Sequence, residues 1–133
     1  MNNLVQIPFK HNFKRMENKF DYLKIDGRKQ LPAPWSNYPV LTDYETVTVY
    51  RQGRDFLDAL VGQQDGWWTA GVHMQIGSAG GGFNPGRKWG QFANRDNALL
   101  WALGWMLSQK ETKGAARKAA LDKIESIRQL KLF

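Results

Sequence analysis

Apolar positions along the chain change rhythm several times, and the changes mark the elements. In ETVTVY, residues 45–50, Val47 and Val49 alternate with Thr46, Thr48 and Tyr50, all β-favouring types, which predicts a strand. RQGRDFLDALVGQQ sets Phe56, Leu57, Leu60 and Val61 at helical spacing, with Gly62 as a stop, and predicts a short helix over about residues 53–62. After the turn pair Asp65-Gly66, Trp68, Ala70, Val72, Met74 and Ile76 alternate with Trp67, Thr69, Gly71, His73 and Gln75, the cleanest strand pattern present. Neighbours on a strand point to opposite faces, so Trp67 and Trp68 cannot share one core. Trp67 is either covered by the N-terminal segment or exposed on the second face of the sheet.

The next stretch, GSAGGGFNPGRKWG, residues 77–90, reads as a long mobile hairpin tip, with RKWGQFA as the returning strand. Asn94 offers a helix N-cap, Asp96 sits in the first turn, and the apolar run that follows predicts a helix over 94–109 buried nearly all round. A more conventional amphipathic helix follows Gly114, with Ala116, Ala120, Ile124 and Ile127 inward and its cations on wetter faces. Residues 1–42 show no sustained period; four of the five prolines lie there, while Leu31, Trp35, Tyr38, Val40 and Leu41 supply apolar bulk. The expectation is a single α+β domain in which a small antiparallel sheet of about three strands packs on two or three helices. Residues 1–42 form an extended strap, 43–109 the core and 110–133 a basic helix.

Charge sharpens the picture. The net charge is +7, and its distribution is uneven: residues 1–30 hold seven Lys/Arg against three acids, residues 110–133 the same, and the middle five against six. Basic extremities around a near-neutral body suit contact with a polyanion, most commonly nucleic acid. The absence of cysteine excludes disulfides, thiolate-held zinc, iron–sulfur clusters and thiol nucleophiles together, and with only His11 and His73 a metal site would need carboxylates. No metal and no cofactor are expected. Lys10, Lys14, Arg15, Glu17 and Lys19 interrupt any secretory core in the first twenty residues, and no apolar run approaches membrane-spanning length, so the expectation is a cytoplasmic protein without membrane contact.

The glycine-rich stretch is the one candidate chemical motif, and it fails as a nucleotide cradle. Gly81 and Gly86 have phosphate-loop spacing, but Arg87 and Lys88 stand where that loop needs lysine and a hydroxyl residue, and a strand rather than a helix follows. The dinucleotide pattern fails at Pro85. What remains is a flexible tip presenting Phe83, Arg87 and Lys88, an aromatic for stacking and two cations for phosphate. His73 has no serine or acid near it in sequence, and the acids are scattered, so no catalytic residue is assigned and the chain reads as non-enzymatic.

From Asp65 to Leu107 the succession of DGWW, glycine-rich tip, KWGQFA and Ala/Leu/Trp helix resembles small uncharacterised plasmid and phage accessory proteins. That resemblance implies a mobile-element context and no activity. The expected helix–strand–strand–helix order is also similar to the double-stranded-RNA-binding domain, but Asn94, Arg95, Asp96 and Asn97 occupy the helix start where that family carries lysines. The functional expectation is a nucleic-acid-binding accessory protein, contacting DNA or RNA through Phe83, Arg87, Lys88, Trp67, His73, Lys113, Arg117 and Lys118. The alternative is a protein-interaction module, such as a phage or plasmid inhibitor of a host defence nuclease or its guide ribonucleoprotein. The pattern leaves the oligomeric state open.

Overall fold

Alternating strands joined by two-residue turns dictate a meander, and the chain forms one. The computed structural model describes residues 25, 27–32, 34 and 38–131. Strands β1 (Glu45–Gln52), β2 (Asp55–Gln64), β3 (Trp67–Ile76) and β4 (Ala79–Phe83) lie side by side in chain order, each pair antiparallel. Each turn carries a glycine at positive φ: Gly53 at 62°, Gly66 at 84° and Gly77 at 63°. Asp65, at φ 54°, joins Gly66 in the left-handed pair that matches the twist of a tight hairpin.

Two elements differ from the sequence expectation. Residues 55–64 form β2 rather than a helix. Leu57, Ala59 and Val61 alternate inward to the main core, yet Leu60, on the opposite face, is also buried. Apolar groups on both faces of a strand blur the period of two and imitate helical spacing. Gly62 ends no helix; a side chain there would collide with Leu41 Cδ1, 2.7 Å from the position of a Cβ.

The second difference is the glycine stretch, which is β4 itself rather than a hairpin tip. The turn lies at Gly77 and Ser78, and Ala79 to Phe83 pair with Ile76 to Val72. RKWGQFA supplies no returning strand. Arg87–Trp89 make one 3-10 turn, after which Gln91 bridges to Lys29 and Phe92 to Trp68. The sheet therefore has four strands, one more than the pattern suggested.

Helix α1 (Arg95–Leu107) begins as its sequence demands, with Asn94 Oδ1 accepting from Asn97 N at 2.8 Å and Asp96 in the first turn. It lies on β2 and β3, and α2 (Gly114–Lys131) packs on α1 and β1. Both helices cover the same face of the sheet, hereafter the inner face. Sandwiched between sheet and α2, α1 buries Leu99, Leu100, Trp101, Ala102, Leu103 and Met106; α2 contributes Ala116, Ala120, Ile124 and Ile127. Trp68 packs toward this core, so the two adjacent tryptophans do separate onto opposite faces. A register shift between Thr48 and Tyr50 turns Tyr50 to the core as well, against simple alternation. Among the described residues no helix is long and apolar enough to cross a membrane.

Glu45 on β1 joins Arg95 at the start of α1 through two hydrogen bonds of 3.0 and 2.6 Å. These bonds hold the Glu45 carboxyl below its ordinary value of 4.5. A depressed folded-state pKa means that the stabilisation is fully present above 4.5 and is lost as pH falls through the lower folded value. Both side chains are well exposed, at 51% and 38%, so solvent keeps the contribution under about 1 kcal/mol. Glu45→Gln should therefore lower the urea midpoint slightly at neutral pH. In acid, below the folded pKa, wild type and variant should unfold at the same urea concentration.

Candidate nucleic-acid interface on the outer sheet face

With both helices on the inner face, the outer face must be covered by something else or stay open, and one close contact divides it. Gly71 on β3 points outward, and the chain leaving β4 crosses directly above it. A Cβ on Gly71 would fall 2.6 Å from Pro85 N and 2.7 Å from Asn84 C, and nearer still to the Phe83 carbonyl oxygen. Only glycine lets the backbones approach so closely.

A second segment locks onto the crossing. Leu41 N donates to Pro85 O at 2.7 Å, Asn84 Nδ2 donates to Leu41 O at 3.0 Å, and Val40 lies over Gly86. Gln64 joins both segments to β2, donating to Pro39 O at 2.8 Å and accepting from Arg87 N at 3.0 Å. This double strap roofs the half of the outer face near the β2–β3 turn and explains why Leu60, Thr69 and Pro85 are buried there.

Among the described residues nothing comparable roofs the other half. Two rows of outward positions cross all four strands: Arg51, Phe56, Gln75 and Gly80 in one, and Thr48, Asp58, His73 and Gly82 in the next. Arg51 stacks on the Phe56 ring, with its guanidinium carbon 5.3 Å from the centroid, and lies 3.6 Å from Asp58 Oδ2. Tyr44 meets His73 edge-on at 6.3 Å. Asn84 fixes the imidazole. Its Nδ2 faces Leu41 O, so Oδ1 is the atom 3.0 Å from His73 Nε2, and Nε2 must carry the proton it donates. The glycines at the β4 end add no side chains to the floor.

The sequence-predicted contact residues do not converge on one place. His73 borders the bare half. Trp67 and Arg87 lie at the roofed end, where Arg87 donates to Asp65 at 2.7 Å and to Gln91 at 2.7 Å, and stacks over Tyr38. Phe83 is not a solvent-presented tip residue: as the last residue of β4 it turns inward and meets Trp89, Trp101 and Trp105 at 4.9, 6.0 and 5.1 Å. Lys88 sits over Trp89 at the sheet margin, beside the Arg28–Gln30 stretch that bonds to the Lys88 and Trp89 carbonyls. Lys113, Arg117 and Lys118 belong to the start of α2 on the helical side, with Arg117 reaching Leu107 O and Lys118 paired with Asp122. The N-terminal cations from Lys10 to Lys24, and His11, lie outside the described residues.

Arg51, Phe56, Gln75 and Asn84 went unnoticed in the sequence. Reading residues 53–62 as a helix hid the row that passes through Phe56. The available clue was the register itself, since an Arg two residues before a turn and a Phe two residues after it are cross-strand partners in a tight hairpin.

The crossing generates two stability predictions. Asn84→Ala removes one bond to the strap and one to His73, and should cost about 1–3 kcal/mol in chemical denaturation. Gly71→Ala forces backbone to move rather than a side chain, and should cost at least as much, about 2–3 kcal/mol or more. A midpoint unchanged in both variants would contradict the strap geometry.

No protein-family model matches the chain, and no curated protein or solved structure matches it either.

Proposed function

We propose that the protein is a non-enzymatic nucleic-acid-binding protein and that its contact surface is the bare half of the outer sheet face. The observation that carries this reading is the Arg51–Phe56 stack beside His73 and Gln75 on an open sheet, in a chain of net charge +7. Each part has a matching chemistry. An aromatic ring stacks with a base, a guanidinium pairs with phosphate, and the Gln75 amide offers both a donor and an acceptor to a base edge. The overall positive charge draws a polyanion to the surface from a distance.

Several cations that the sequence offered as contacts have other duties. Arg87 and Lys118 are paired with Asp65 and Asp122, both at 2.7 Å, and Arg117 reaches Leu107 O at 3.4 Å. Phosphate contacts fall to Arg54 near the β1–β2 turn and to Arg51, which exchanges its 3.6 Å contact with Asp58 for phosphate, with Lys29 and Lys88 as a second group at the opposite end of the sheet.

A protein partner is favoured by a different feature. β4 is an edge strand, exposed at Gly80, Gly81 and Gly82 and free of charge, which suits addition of a strand from another protein. A host protein that stays bound after exhaustive nuclease treatment would favour this second reading over the first.

A labelled mixed-sequence oligonucleotide titrated with the protein should bind at micromolar concentrations, with affinity falling at least about tenfold between roughly 50 and 200 mM salt. Arg51→Ala should weaken binding by about threefold to tenfold, measured under conditions where the variant remains folded. Absence of binding, or binding indifferent to salt, would refute the proposal.

A further inference from the structure

Four glycines contribute to the outer face or the β4 edge, and only some of them are demanded by the fold. Gly71 lies under the crossing backbone. Gly82 has φ 152°, and a Cβ there would collide with the Val72 carbonyl oxygen and lie 2.9 Å from His73 Cα. Gly81 has φ 149°, strained for any L side chain. Gly80 is different. Its φ is ordinary, and a Cβ would sit 3.4 Å from Met74 O and 3.6 Å from the Gln75 side chain, normal packing distances. Glycine weakens a strand relative to any residue with a side chain, so the fold gains nothing from Gly80. What its missing side chain does is keep the floor low at the end of the row Arg51, Phe56, Gln75, Gly80.

We infer that this row is a shallow trough for an unpaired polynucleotide strand, with a base laid against the Arg51–Phe56 stack and Gln75 and the strand continuing past Gly80. The inference rests on the nucleic-acid reading above and narrows it to a substrate class. The Phe56 ring can stack only with a base whose face is accessible, and in a duplex each base face is already covered by its neighbours. Asp58, in the next row between Thr48 and His73, pairs with Arg51 at 3.6 Å and offers phosphate only acceptor oxygens beside the trough. Bases must therefore lie inward and phosphates outward, toward Arg51 at the margin, which is the arrangement of a splayed single strand and not of a duplex whose phosphates face the protein. An empty position at Gly80 gives the sugar and base room to approach the backbone.

The test uses the full chain and three probes of one sequence: single-stranded DNA, single-stranded RNA and the DNA duplex. Anisotropy titrations should show at least one single strand binding tenfold or more tighter than the duplex; which strand does so identifies the source. Gly80→Val, which raises a branched side chain from the floor, should lose at least tenfold in single-strand affinity. Gly80→Ala should bind within about threefold of wild type, and both variants should unfold at or above the wild-type midpoint, as replacement of a permissive glycine predicts. Duplex binding as tight as single-strand binding, or Gly80→Val binding like wild type with its fold intact, overturns the trough and leaves nucleic-acid binding standing. Failure of all three probes to bind overturns both.

Discussion

One backbone-on-backbone contact organises the molecule: the passage of Asn84 and Pro85 over Gly71. Because the chain leaves the sheet there, the Asn84 carbonyl is in place to accept from Trp89 Nε1 at 2.9 Å, and Trp89 closes against Phe83 beside Trp101 and Trp105. The same crossing gives Leu41 a partner, so the strap buries Leu60 and Thr69. Inner core and outer roof thus meet at one glycine. The roof stops at the Asn84–His73 bond, and beyond it nothing among the described residues roofs the sheet.

The elements legible in the sequence were those whose apolar residues keep a clean period or form one dense run. β1, β3 and both helices are of this kind, and the Asn94 cap and the inward set from Ala116 to Ile127 lie where their spacing put them. β2 was illegible for a physical reason, since the burial of Leu60 under the strap depends on residues some twenty positions earlier in the chain. β4 was illegible because glycine carries no strand preference. Its pairing is imposed by the two-residue turn at Gly77 and by Phe83, whose inward ring anchors the end of the strand.

The candidate site was legible only in part. Alternation alone placed Trp67 and His73 on the second face, and the net charge suggested the class of partner. The supposed hairpin tip was the principal error: a flexible finger carrying Phe83, Arg87 and Lys88 would have made one contact point, whereas the fold sends Phe83 into the core and binds Arg87 to Asp65 and Gln91. Terminal basicity says how strongly a polyanion is attracted but not where it lies. The location proposed for it rests on register, which sets Arg51, Phe56, Gln75 and Gly80 in one line across four strands.

The account therefore assigns fold and function to opposite faces of one sheet, with aromatic packing inside and a half-bare polar and aromatic surface outside. Backbone amide shifts, followed by NMR as a short single-stranded oligonucleotide is added, test that division directly. The account predicts that the largest changes fall on Arg51, Phe56, His73, Gln75, Gly80 and Gly82, with α2 nearly silent. Changes concentrated on Lys113, Arg117 and Lys118, with the outer rows unmoved, would contradict it.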